Sequence, residues 1–473
     1  MTATADEIPT DAAPCGPREM QSVLGPDYRG LTIGLLAVVS LIAFEAMAVA
    51  TAMPVAVREL GGLRFFALAF SAFLTTSLVG MVVAGDVSDR RGPLLPFVVA
   101  VLTFGIGLVM AGLATSMWLF VLGRAVQGFG AGLNIVALYV VIARVYPDAL
   151  RPRLFSAMAS AWVLPAIIGP SIAGVVADEL SWRWVFLAVP PLIVPAVLLM
   201  LPRLKTLGGA ELAGTPRRRT VPAVLAGVGV AMLQYAGQRL DLVAAPLFVA
   251  GAVALAVGVP KLLPRGTLSA RRGIPTAILM RGILAGSFFG AETFVPLMLI
   301  EERGVATAVA GLTLTGGAVS WSIGSWIQGR PGTTVPRFRL IQWGTGLVAV
   351  GVAAMSLSLW QALPPLVGGL GWMLAGLGMG LAMSSVNVVL LSLSPESDQG
   401  FNSAALQVSD ALGSILSIGV GGAIFSGLHE RGGDNAAVFL LIYLLMASIA
   451  LAGAVAAHRV RAEAPPEPAV AVA

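Results

Sequence analysis

Five ionisable side chains interrupt long apolar runs of this chain: Glu45, Arg124, Arg281, Glu292 and Asp410. A charge near the centre of a bilayer costs roughly 2.5–3.5 kcal/mol even on the lenient insertion scale, so such a residue faces a partner, a cavity or a pathway. Three of the five are carboxylates. A carboxylate whose burial and whose arginine neighbour act in opposite senses can take up and release a proton near neutrality. Glu45 lies midway along the first run, in Phe44-Glu45-Ala46-Met47, and Pro54 is read as closing that helix. Arg124 cannot lose its charge and needs a carboxylate, an anion or backbone carbonyls, unless it snorkels to a nearby interface. Glu292 sits beside Phe288, Phe289 and Phe294, and a carboxylate among aromatics suits a lipophilic cation. A static ion pair at Glu45, or a neutral acid bonding backbone at Glu292, are the structural alternatives. Asp410, beside Gln407 and Ser409, fits gating or helix packing equally, and Arg281 is expected to snorkel from its span end. We take Glu45, Arg124, Glu292 and Asp410 as candidate proton-coupling groups. Glu45, Gln127, Asn134, Glu292, Phe294 and Asn387 are the candidate substrate cavity.

The elements that must position these residues follow from composition. Of 473 residues, 57% are hydrophobic and 11% charged, with a mean hydropathy of +0.89. Too little polar surface remains for a soluble domain of this length. Apolar runs recur near residues 30–57, 65–84, 94–114, 117–143, 154–177, 184–202, 221–237, 243–263, 275–300, 305–328, 338–358, 363–391, 403–427 and 436–457. That gives about fourteen helical spans of an all-α polytopic membrane protein. The alternating ten-residue segments of a membrane β-barrel do not occur.

Two weaker spans, bounded by basic loops at Arg217–Arg219 and Arg271–Arg272, separate two sets of six. The expected organisation is a disordered tail (1–29), a six-helix bundle (30–202), a linker with two inserted helices (203–274), a second bundle (275–457) and a short tail (458–473). Repeated halves with a site between them near the midplane are a common transporter architecture.

Basic residues set the orientation. Arg58, Arg64, Arg183, Arg239, Arg303 and Arg431 fall on one side, Arg124 and Arg281 lie within runs, and the rest of the 29 Lys and Arg fall on the side of the tails. The positive-inside rule places both termini in the cytoplasm of a cell-membrane protein. The same distribution argues against nucleic acid as a partner, despite a net charge of +5. Cys15 alone can form no disulfide within the chain, and with His429 and His458 it makes no metal constellation. No basic n-region with a short apolar h-region opens the chain, so the first run reads as a retained helix. No G-x-x-x-x-G-K-[ST] loop is present, so ATP is not expected as the energy source and no cofactor is implied beyond a proton gradient. No enzymatic chemistry is indicated.

Three motifs carry a resemblance. Gly85-Asp86-Val87-Ser88-Asp89-Arg90-Arg91-Gly92 reads as a tight loop after the second span. It resembles the G-x-L-x-D-R-x-G-R loop of the major facilitator superfamily at Gly85, Asp89, Arg90 and Gly92, with Pro93 in place of the final basic residue. The counterpart in the second half, Gly324 to Gly332, is a degraded copy with Gln328 in the acid's position. Arg124-Ala125-Val126-Gln127-Gly128-Phe129-Gly130-Ala131-Gly132 resembles that family's R-x-x-Q-G-x-G-x-G signature in helix four. Leu164 to Gly174 resembles the G-P-x-x-G-G motif of its antiporters, with Ala173 at the first closing glycine. Pro165, Gly169, Pro170 and Gly174 would there bend the helix at an interface.

A helix-one acid, a helix-four arginine and the span count resemble the fourteen-helix drug:proton antiporter branch. The resemblance covers nearly all of residues 30–457. It implies a major facilitator fold, a gating role for Asp89, and proton-driven export of hydrophobic or cationic small molecules. Export of a lipid or lipidic metabolite is an alternative, and a non-transporting sensor with the same fold is another. Protons, a small-molecule substrate and the lipid bilayer are the expected partners, with no obligatory protein partner.

Overall fold

The computed structural model describes residues 22–147, 150–207, 220–239, 244–329, 335–395, 398–429 and 435–461. Among them all regular structure is helical, as a bilayer requires of any chain whose backbone polar groups must be satisfied within one segment. The helices are α1 (Arg29–Glu59), α2 (Phe66–Arg91), α3 (Leu94–Gly112), α4 (Met117–Val145), α5 (Arg151–Glu179), α6 (Arg183–Leu187), α7 (Val189–Leu204), α8 (Thr220–Arg239) and α9 (Ala245–Leu262). They continue as α10 (Ile274–Glu292), α11 (Val295–Arg303), α12 (Thr307–Gln328), α13 (Arg337–Met355), α14 (Val367–Leu393), α15 (Gln399–Leu428) and α16 (Ala436–Ala456).

Twelve helical segments among the described residues are long and apolar enough to cross a membrane, with α6–α7 and α10–α11 each acting as one. The expected count of fourteen is therefore approximate. In α8 the apolar stretch, Val221–Gly237, is short, and α12 is diluted by Thr, Ser and Gly. Both nevertheless pack among the spans.

Two groups of helices repeat one packing scheme. In the first, α1 packs on α5 and α7, while α4 packs on α2 and α3. In the second, α10 packs on α15 and α16, while α14 packs on α12 and α13. Small residues make the α4 and α14 contacts possible. A Cβ added at Gly128 would lie 2.0 Å from the Phe73 carbonyl oxygen, and one at Gly132 would lie 2.0 Å from that of Ser77. In the second group, a Cβ added at Gly376 would lie 2.2 Å from the Gly317 carbonyl oxygen and one at Gly380 would lie 2.1 Å from that of Trp321. Only backbones lacking a side chain between them approach this closely.

The groups join along two seams. On one, α5 meets α12: the Ala308 amide donates to Asp178 Oδ2 at 3.1 Å and the Thr315 hydroxyl donates to the Ile167 carbonyl at 3.0 Å. On the other, α2 meets α15, and α8 lies over both. Val230 packs with Leu78 of α2 and Ile415 of α15, while the Gln234 amide donates to the Ile415 carbonyl at 3.3 Å.

Arg58, late in α1, meets Glu301 of α11, and the end of α5 meets the start of α12. These contacts mark what we call the distal end. At the opposite, terminal end lie the starts of α1 and α10, where the Gly273 amide donates to Arg459 near the last described turn.

Two local expectations need correction. Pro54 does not close α1, which continues to Glu59 with Pro54 inside it. The expected loop at Gly85–Gly92 is the last turns of α2. The helix runs to Arg91 and stops at Gly92, whose φ of +80° is a conformation that glycine alone adopts at no steric cost.

Candidate functional site

The first charged site joins α1 to α4. Arg124 Nη1 donates to Glu45 Oε1 at 2.7 Å and to Gln127 Oε1, one helical turn on, at 2.5 Å. The guanidinium also lies over the Phe73 ring, 4.5 Å from its centroid. The side chains of Arg124 and Glu45 are only 4% and 0% exposed. Arg124 therefore does not snorkel: its counter-charge is buried beside it. Glu45 Oε2, Arg124 Nε and Gln127 Nε2 remain without a protein partner among the described residues.

In the second group, Arg281 Nε donates to Asp410 Oδ1 at 2.5 Å and Nη1 to Asn387 Oδ1 at 3.3 Å. This corrects the expectation that Arg281 snorkels, since it bridges α10, α14 and α15. Its side chain is 16% exposed and that of Asp410 26%, so the pair is wetter than Glu45–Arg124. Asn387 itself is exposed.

Glu292 is built differently. It is the last residue of α10, just before Thr293 and Phe294 break the helix ahead of α11. It is partly buried and makes no hydrogen bond or ion pair among the described residues. One turn back on the same face is Phe289, 6.1 Å from Trp321 of α12. Phe288 packs edge-on to Trp321 and stacks on Trp372 of α14 at 4.5 Å. Phe289 and Trp321 are partly exposed, whereas Phe288 and Trp372 are buried. An unpaired acid beside such rings is the arrangement that attracts a desolvated organic cation. Sequence reasoning missed the two tryptophans. A tryptophan flanked by Ser320 and Ser322 in a span was the available signal.

Two cavity candidates lie elsewhere than expected. Phe294 is fully buried, with ring centroids 5.8 Å from Phe66 of α2 and 6.1 Å from Phe425 of α15. It belongs to an aromatic plug across the distal seam, because the break after Glu292 turns it away from α10. Asn134 is 0% exposed, inside the first group.

The candidate gating residues fall at the terminal end of α2. There Arg144 of α4 donates to the Ser88 carbonyl at 3.2 Å. The side chains of Asp89 and Arg90 lie outside the described residues. In the degraded copy, Gln328 accepts from Arg337 at 2.5 Å, and positions 330–334 lie outside the described residues.

Pro165, Gly169, Pro170 and Gly174 all sit within a continuous α5, and three of them make close contacts. A Cβ on Gly174 would fall 2.4 Å from Ala308 Cα, and Gly311 of α12 faces the Pro170 carbonyl. Gly169 instead faces Met47 and Phe44 of α1. Two polar links at the distal end had no sequence signal. Arg58 Nη2 donates to Glu301 at 2.6 Å, and Asp178 accepts from the first turn of α12, a favourable place for an anion.

The family model described as the Major Facilitator Superfamily matches residues 35–418. A multidrug transporter protein of Bacillus subtilis is 26% identical over 88% of this chain and 78% of its own length. A "probable multidrug-efflux transporter" of Mycobacterium tuberculosis is 25% identical over 91% of this chain and 94% of its own. Among solved structures, a POT family transporter in complex with a thioalcohol-conjugated peptide aligns with a TM-score of 0.66 at 15% identity. That alignment covers 90% of this chain and 95% of the other.

Proposed function

The chain belongs to the Major Facilitator Superfamily, and we propose that it exports hydrophobic or cationic small molecules from the cell in exchange for protons. The observation that carries this reading is the contrast between its two deeply placed acids. Glu45 is held by an arginine that cannot deprotonate. Glu292 has no partner among the described residues and lies one helical turn from Phe289, whose ring neighbours Trp321. One acid is suited to exchanging a proton, the other to meeting a cation. The naming of relatives as multidrug transporters supports the same reading.

In this mechanism both termini are cytoplasmic, as the distribution of basic residues favours. The distal end then faces outward and is closed by the Phe66–Phe294–Phe425 plug and the α5–α12 seam. A substrate arriving from the cytoplasm or inner leaflet rests against Phe289 and Trp321, with any positive charge directed at Glu292. Rocking of the two helix groups opens the distal seam and delivers it outward. A proton entering from outside neutralises Glu45, weakens its hold on Arg124, and favours return once the site is empty.

The test is substrate-induced proton release by purified protein in weakly buffered detergent, across a panel of matched cationic and neutral apolar compounds. Release that tracks binding is the expected result. Saturable binding of panel members with no proton release from any of them would overturn the coupling.

A further inference from the structure

The ion pair of the second helix group is only half used by the protein. Arg281 Nε donates to Asp410 Oδ1 at 2.5 Å, and Arg281 Nη1 donates to Asn387 Oδ1 at 3.3 Å. Arg281 Nη2, Asp410 Oδ2 and Asn387 Nδ2 have no protein partner among the described residues. The side chains of Arg281 and Asp410 are 16% and 26% exposed, and Asn387 is exposed. Two donors and one acceptor therefore stand together and remain open to a guest.

Their place in the fold says where the guest comes from. Arg281 lies on α10, which packs on α14, α15 and α16. Its charge acts on the phenol of Tyr139, on α4 of the other group, and Tyr139 is 43% exposed. The cluster thus looks across the space between the two groups. Arg281, Tyr139 and Asn387 each lie about two turns, roughly 10 Å, from the terminal end of their helices. Glu292 is about three turns farther along the same face of α10, roughly 16 Å deeper.

A guanidinium edge beside a carboxylate oxygen suits neither a plain cation nor a plain anion, since one member of the pair repels each. It suits a head that carries both charges. The unused atoms belong to one bonded pair, so the matching charges must sit on neighbouring carbon atoms. We propose that Arg281 and Asp410 form a subsite for amphipathic zwitterions of the amino-acid type. The carboxylate of the guest accepts from Arg281 Nη2 and Asn387 Nδ2, its ammonium donates to Asp410 Oδ2, and Tyr139 faces it from the other group. The apolar part extends along α10 toward the partly exposed Phe289 and Trp321, about 12 Å away. The inference rests on the reading above that substrate enters this cleft from the terminal side, and it adds a substrate class to that reading.

The test is calorimetric binding to the full-length protein. The probes are biphenylalanine, biphenylethylamine, which lacks the carboxylate, and biphenylpropanoate, which lacks the ammonium. Wild type should bind the zwitterion at least about tenfold more tightly than either analogue. Arg281→Gln should weaken biphenylalanine by about tenfold and spare the amine, whereas Asp410→Asn should weaken it as much and spare the propanoate. Tetraphenylphosphonium, directed at Glu292, should stay within about threefold of wild type in both. A pair that merely ties helices together predicts equal losses for every ligand. Such equal losses, or a wild type with no preference for the zwitterion, would overturn the subsite. Where the ion-pair variants do not fold, Asn387→Leu leaves the pair intact and should weaken biphenylalanine by about fivefold; unchanged affinity there would overturn it too. Lost zwitterion preference with tetraphenylphosphonium still bound sinks this subsite alone, whereas a wild type that binds no probe sinks the export reading with it.

Discussion

Neutralising one member of the Glu45–Arg124 pair should have unequal effects depending on which member is changed. The two groups meet at 2.7 Å with almost no exposure, so neither can fall back on solvent. Glu45→Gln keeps the shape and one acceptor oxygen but leaves a guanidinium that cannot shed its charge. Removing one partner of a buried pair in this way costs roughly 3–5 kcal/mol. Arg124→Gln strands a carboxylate instead, and a carboxylate escapes by taking a proton. Its cost should therefore be smaller than that of a stranded guanidinium. The double variant buries no charge and should recover most of the loss, giving a coupling energy of roughly 3 kcal/mol or more in a double-mutant cycle. Denaturation midpoints of the four purified proteins supply the stabilities, and gradient-driven transport supplies the function. Every variant lacking Glu45 should bind substrate but show no response to a proton gradient. Strictly additive losses, or Glu45→Gln no costlier than Arg124→Gln, would refute the buried pair. Wild-type gradient dependence in Glu45→Gln would refute Glu45 as the proton carrier.

Three further outcomes are expected. Glu292→Gln should weaken a cationic ligand by about a hundredfold, because a desolvated cation loses its counter-charge. A matched neutral ligand, which loses at most a hydrogen bond, should change by less than about fivefold. Equal losses would make Glu292 scaffold. Gly174→Leu, whose Cβ would meet Ala308 Cα at 2.4 Å, should part α5 from α12. A cysteine at Thr315 should then label faster with an impermeant reagent from the distal side, and unchanged labelling would remove this seam from the closure. With Cys15 replaced, a cysteine at position 241 should label from outside the cell; labelling only from the cytoplasm would mean that α8 and α9 do not cross the membrane.

The helices and their glycine contacts were legible in the sequence because a bilayer leaves the chain so few choices. Apolar length fixes a span, and the Gly128–Gly132 spacing puts a smooth face on α4, which the structure packs onto Phe73 and Ser77 of α2. What the sequence hid was pairing at a distance. Arg281 and Asp410 are 129 residues apart, and a span-end arginine looks the same whether it snorkels or meets an acid. The same holds for Arg58 and Glu301. Pro54 misled because a membrane helix continues through proline when its neighbours support it. Phe294 misled because closeness in sequence does not survive a helix break, and one begins just after Glu292.

The ion pairs divide by where they lie, and the division bears on how such a protein can move. Glu45–Arg124 joins α1 to α4, and Arg281–Asp410 joins α10 to α15. Each lies within one helix group, so rocking of the groups need not break either. Arg58–Glu301 does cross between the groups, but the arginine is 53% exposed. An exposed pair of this kind contributes about 0–1 kcal/mol. Moving a two-state equilibrium from 1:99 to 99:1 takes about 5.5 kcal/mol, so this pair alone cannot hold the distal end shut. Closure must rest mainly on packing, on the Phe66–Phe294–Phe425 rings and the close α5–α12 contact. Those contacts are lost together when the seam parts. The balance between open and closed is then set by whatever changes the fit of that seam, and Glu292 lies two residues from Phe294. In the proposed export cycle, a ligand charge seated on Glu292 would act next to the plug that has to open.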